Sequence, residues 1–109
     1  MKSIKLLFYL HIGYGDGMIY RIKDITDLEG KTRTDGRYPL RIGRTGSFMH
    51  GTPTIGKCLL FNYITYSDGT PYEHFSYLRT STVMDYSTHR DNSIVVRTKN
   101  SIYKFERVK

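Results

Sequence analysis

The chain has 109 residues, a formal net charge of +7 and 39% hydrophobic residues, with ten tyrosines, one cysteine and no tryptophan. That length holds one compact domain, residues 1–109, around one hydrophobic core. A single cysteine excludes an internal disulfide and a four-cysteine metal site, and no apolar run approaches the length of a membrane span. Absent alanine and abundant tyrosine favour strands over helices. Cys58 sits in an apolar run and reads as a small buried hydrophobe of a reducing, cytoplasmic compartment.

In chain order, residues 4–12 predict a first apolar strand, broken by Gly13-Tyr14-Gly15-Asp16-Gly17 and resumed by residues 18–22 as its hairpin partner. The apolar stretch lacks the small-residue cleavage site of a secretion signal. A competing reading starts the domain at Met18 and makes residues 1–17 an upstream addition; both stay open here. Residues 24–30 predict one helical turn capped by Asp24 and closed by Gly30. In residues 37–42, Tyr38, Leu40 and Ile42 alternate with Arg37, Pro39 and Arg41, the period of an edge strand with arginines on its wet face. Residues 43–56, punctuated by glycine and Pro53, predict a loop that is mobile at its tip.

The clearest pattern is a pair of β-favouring runs, residues 57–66 and 72–83, joined across Asp68-Gly69 as a hairpin. Phe61 and Tyr63 then share one face, with Leu60 and Ile64 on the other. Residues 84–92 predict a second loop, and residues 94–98 and 102–106 a closing hairpin. The fold class is mainly β, a small antiparallel barrel or rolled sheet of the SH3-like or OB-like kind. It has six to seven short strands and at most one short helix. The segments Leu78-Arg79-Thr80-Ser81-Thr82-Val83 and Val96-Arg97-Thr98-Lys99-Asn100-Ser101-Ile102-Tyr103 resemble the endings of small uncharacterised β-rich proteins of Gram-positive bacteria and their phages. The resemblance implies a strand-and-turn pattern and an origin in a phage or mobile element; it carries no active site.

Chemistry concentrates between Lys31 and Arg44, where Lys31, Arg33, Arg37, Arg41 and Arg44 face the single acid Asp35. Arginine forks and close-approaching backbone N–H groups are what a phosphate needs. Arg33, Arg37, Tyr38, Arg41, Arg44 and Thr45 are therefore the expected ligand-binding residues, with Tyr38 or a neighbouring tyrosine stacking on a base. Gly43-Arg44-Thr45-Gly46-Ser47 lacks the Gly-Lys-Ser/Thr ending of a nucleotide-hydrolase loop and leaves only a non-catalytic anion nest. His11, His50, His74 and His89 are scattered. His89 with Asp85 and Asp91 suits a polar loop better than a metal, and adjacent strand residues such as Glu73 and His74 point to opposite faces. The expectation is a non-enzymatic binder of nucleic acid or a signalling nucleotide, without metal or cofactor, phage-encoded and acting against a host defence system. The alternative is a protein–protein inhibitor or virion module whose arginines meet an acidic host surface. Neither involves a membrane, and both allow an oligomer.

Overall fold

The computed structural model describes residues 18–108. The expected strand at residues 4–12 and the glycine break after it lie outside these, as does the choice between a hairpin and an upstream addition. The described chain is a closed antiparallel barrel in which each strand pairs with the next: β1 (Tyr20–Thr26), β2 (Thr45–Phe48), β3 (Cys58–Thr65), β4 (Tyr77–Thr88), β5 (Ile94–Thr98) and β6 (Ile102–Arg107). β6 returns to β1, running from Tyr20↔Arg107 to Thr26↔Ile102. This is the small antiparallel barrel that the composition implies. No helix among the described residues is long and apolar enough to cross a membrane.

The interior is aromatic. Phe48, Phe61 and Phe105 meet with ring centroids 4.9–5.5 Å apart, and Tyr20 joins at 4.9 Å from Phe48. Such pairs add about 0.5–1.5 kcal/mol each beyond their buried area, and Ile22, Ile25, Val83 and Val96 pack in the same cluster. On β3, Leu59, Phe61 and Tyr63 belong to the core cluster while Leu60 and Ile64 do not, as strand alternation requires. On β1, a register shift between Ile22 and Asp24 lets both Ile22 and Ile25 turn inward.

Four local expectations are corrected. Residues 24–30 are no helical turn. Ile25 and Thr26 are fully buried in β1, and Asp24 accepts hydrogen bonds from the Ile25 amide and the Thr32 hydroxyl. The turn that follows is built on Asp27, whose carboxylate accepts the Glu29 and Lys31 amides, with Gly30 at φ +92. Second, residues 37–42 are no edge strand: Tyr38–Arg41 form a one-turn helix, α1, with Pro39 in its first turn, where its missing N–H costs nothing. Only Tyr38 and Ile42, one helical turn apart, pack on the core, whereas Leu40 between them is 64% exposed.

Third, the segment taken as a loop, residues 43–56, contains β2. Composition hides it because its centre is Gly46, and the structure shows why glycine stands there. A Cβ at that position would lie 2.2 Å from the Asn62 carbonyl oxygen and 2.8 Å from the Phe61 ring. Fourth, residues 84–92 are mostly strand: β4 runs to Thr88 because Tyr86, Ser87 and Thr88 pair with Val96, Val95 and Ile94. The Asp68-Gly69 turn forms as expected, with the Tyr66 amide donating to Thr70 O and Gly69 at φ +90. Its return arm, however, pairs only briefly at Pro71 and Tyr72 before β4 begins at Tyr77.

The two glycines separate two kinds of cost. Gly69 has a positive φ but open space, so Gly69→Ala is expected to lose about 1 kcal/mol from the backbone alone. Gly46→Ala must push back a carbonyl and a buried ring and is expected to lose about 3 kcal/mol or more. Equilibrium urea unfolding of the two variants checks this; equal losses would mean that β2 does not pack as described.

Candidate functional site

α1 and the turn after it are held by successive backbone hydrogen bonds: Leu40 to Arg37 O, Ile42 to Tyr38 O, and Arg44 to Arg41 O. The chain then locks onto β1, with the Gly43 amide donating to Ile22 O and the Ile22 amide to Arg44 O. Because Arg37 and Arg41 are four residues apart, the one-turn helix keeps them on one side, as a strand would also have done. Both line a cavity of about 210 Å³ together with Leu40, Arg44, Tyr63, Ser76, Tyr77, Leu78 and Arg79. Arg41 and Arg44 are half-buried at its base, and Arg37 and Arg79 are exposed at its rim. Among the described residues, none of these four arginines forms an ion pair with a carboxylate. The Arg44 Nε is buried and finds no hydrogen-bond acceptor among them.

Rings hold the inner arginines instead. The Arg44 guanidinium lies 4.9 Å from the Tyr63 ring centroid and 5.7 Å from those of Tyr66 and Tyr72. These three rings form a stack, with centroids 5.2 Å apart for Tyr63–Tyr72 and 3.9 Å for Tyr66–Tyr72. Arg41 sits 5.3 Å from the Tyr38 ring. A guanidinium over an aromatic face gains about 0.5–2 kcal/mol, keeps its charge, and leaves its in-plane N–H groups free to donate elsewhere.

The expected residues thus divide. Arg37, Arg41 and Arg44 converge on one cavity, but Arg33 does not line it. The Arg33 side chain donates to the Ser101 hydroxyl, the Asn100 carbonyl and the Asp35 carboxylate, and so ties the β1–α1 connection to the β5–β6 turn. The Tyr38 ring carries both Arg33, at 4.9 Å, and Arg41, so it positions an arginine rather than offering a free stacking face. Thr45 is buried in β2 with its hydroxyl 2.7 Å from that of Thr65. The amides of Gly43 and Arg44 are committed to Ile22 O and Arg41 O, so no anion nest forms from them. Arg79 was missed: it stands on β4, far along the chain from the basic block, and only the β3–β4 register brings it there.

A second depression of about 460 Å³ is lined by Tyr66, Thr70, Pro71, Tyr72, Glu73, His74, Phe75 and Ser76, sharing Ser76 with the arginine cavity. Elsewhere, charges are mixed or sparse. One hollow sets Lys23 and Lys104 among Asp24, Asp91 and Glu106, and another has Lys57 beside His50 and Cys58. No group of three His, Cys, Asp or Glu side chains among the described residues is arranged to hold a metal ion. Asp85 and Asp91 accept hydrogen bonds from Tyr86 and Ser93 within the sheet and turn. Compared with family models, with curated proteins and with solved structures, the chain matches none of them.

Burial at this end of the barrel also keeps phenols neutral. It pushes Tyr63 up against the pull of Arg44, and it pushes Tyr103, beside Tyr38, up to about 12 from an ordinary 10.0. The folded state therefore favours the neutral Tyr103, whose contribution is full below pH 10 and is lost as pH rises through about 12. Stability in urea is expected to hold up to pH 9 and to fall between pH 10 and pH 12. Tyr103→Phe should remove part of that fall; a variant whose stability declines as steeply as the parent's would contradict the assignment.

Proposed function

We propose that this protein is a non-enzymatic binder of a phosphate-bearing ligand, nucleic acid or a nucleotide, held by Arg37, Arg41, Arg44 and Arg79. One observation carries this: four guanidinium groups share a cavity with no carboxylate to neutralise them among the described residues, and one buried N–H has no acceptor. Like charges brought together and partly dehydrated oppose folding unless a counter-charge arrives. A phosphate supplies that charge with acceptor oxygens suited to the arginine fork. At about 210 Å³ the cavity is smaller than the roughly 300–1,000 Å³ of an ordinary small-molecule site, which favours an anionic group rather than a whole apolar ligand.

The rim supports a second reading. Leu40 is 64% exposed beside Tyr77 and the arginines, a mixture that protein interfaces also use. The two readings part in solution. Arg37→Gln with Arg41→Gln is expected to weaken binding of a labelled oligonucleotide or mononucleotide by about 2–5 kcal/mol, measured by anisotropy or calorimetry, with folding intact. Lysine at both positions should restore part of an oligonucleotide's affinity, which mainly feels charge, and little of a mononucleotide's. Arg33→Gln serves as the contrast, lowering stability while leaving affinity in place. Full affinity in the double glutamine variant would remove the phosphate reading and favour an acidic protein surface as the partner.

A further inference from the structure

The ladder between β3 and β4 is interrupted beside the arginine cavity. The Tyr63 amide donates to Ser76 O at 2.9 Å, while its neighbour Ile64 accepts from the Tyr72 amide at 3.0 Å. Adjacent residues of β3 thus bond to residues 72 and 76, and Glu73, His74 and Phe75 are looped out between them. The excursion gives up regular pairing and leaves Phe75 55% exposed, against Tyr77 at 46%, with ring centroids 5.6 Å apart. Single exposed aromatics are ordinary. Two in contact, raised on a bulge and flanking two cavities, form a patch that water solvates poorly.

Their position gives the patch its chemistry. Tyr77 lines the arginine cavity, Phe75 lines the aromatic depression next to it, and Ser76 lines both. Arg44 links the two, reaching the phosphate cavity while its guanidinium lies 5.7 Å from the Tyr66 and Tyr72 rings of the depression. One side is cationic and small; the other is wider, at about 460 Å³, and walled by flat rings and Pro71.

We propose that the ligand is a nucleotide unit whose phosphate occupies the arginine cavity and whose base stacks on the Phe75 ring, with the Tyr77 ring tilted at 46° beside it. The assignment rests on the phosphate reading above and adds the base-recognition half of the site. Stacking on an aromatic side chain accepts any base, because every base has a π face. The chemistry therefore defines a nucleotide, free or within a single strand, and not a particular base.

The chain has no tryptophan, so Phe75→Trp installs a single reporter on the exposed ring. Its emission is expected to be quenched by AMP or by a short oligothymidylate and to stay unchanged with inorganic pyrophosphate. Phe75→Ala, at an exposed position that lines the depression and not the arginine cavity, is expected to lower affinity for AMP or the oligonucleotide about 5- to 150-fold and to leave pyrophosphate affinity as in the parent. Tyr77→Phe should keep the nucleotide affinity. The source of the unit follows from salt: oligonucleotide affinity that falls steeply with ionic strength marks a strand, whereas AMP affinity that depends little on salt marks a free nucleotide. Parental nucleotide affinity in the Phe75→Ala variant, or equal losses for pyrophosphate and nucleotide, would overturn the stacking site and leave the phosphate cavity standing. Parental affinity for every probe in the variant carrying Arg37→Gln and Arg41→Gln would overturn the phosphate cavity itself.

Discussion

The barrel closes because one residue has no side chain. β2 is the shortest strand, and it reaches β3 only because Gly46 lets the Asn62 carbonyl and the Phe61 ring come within what would be the radius of a methyl group. With any Cβ there, Phe48 would withdraw from Phe61 and Phe105, and the aromatic cluster would lose one of its members. The same approach sets the end of the barrel that carries the arginine cavity. Arg44 stands immediately before β2 with its carbonyl accepting the Ile22 amide, and Gly43 passes so close to Ser67 that a Cβ would stand 2.8 Å from that side chain. The direction in which Arg44 leaves the backbone is thus fixed by packing on both sides.

Two arginines from the same basic stretch then meet opposite fates. Arg33 is satisfied: a hydroxyl, a carbonyl and a carboxylate take its donors, and its work is to join two loops. Arg44 is held by ring faces, which steady a cation without neutralising it, and its buried Nε keeps an unmet donor. A fold that needed charge only for solubility would leave its arginines outside, as Arg37 and Arg79 are. Drawing Arg41 and Arg44 part-way in, among tyrosines rather than acids, trades solvation for a positive site that keeps its charge.

The barrel class was legible because its causes are local: tyrosine and β-branched residues at alternating positions, the Asp68-Gly69 turn, and the closing hairpin of β5 and β6. Part of the cavity was legible too, since Arg37, Arg41 and Arg44 are close in sequence and stay together whether their segment is strand or helix. What was not legible depends on distant contacts. Gly46 reads as a loop residue until Phe61 lies over it, and Ser87 and Thr88 read as a polar loop until Val95 and Ile94 pair with them. Arg79 reaches the arginine cavity, and Phe75 the depression beside it, only through the β3–β4 register and the bulge within it. Arg33 shows the opposite case, because charge density does not reveal which member of a cluster already has partners in the fold.

The return of β6 to β1 has a consequence for the order of assembly. Each of the other pairings joins strands that follow one another along the chain, whereas this one joins the two ends of the described segment, down to a bond from the Val108 amide to Ile19 O at 2.8 Å. In an extended chain its entropy of closure is the largest of all the pairings. Once the intervening hairpins exist, the effective loop is short and most of that cost has already been met. The seam is therefore the contact that gains most from the rest forming first, and the one whose release turns a closed barrel into an open sheet with two bare edges.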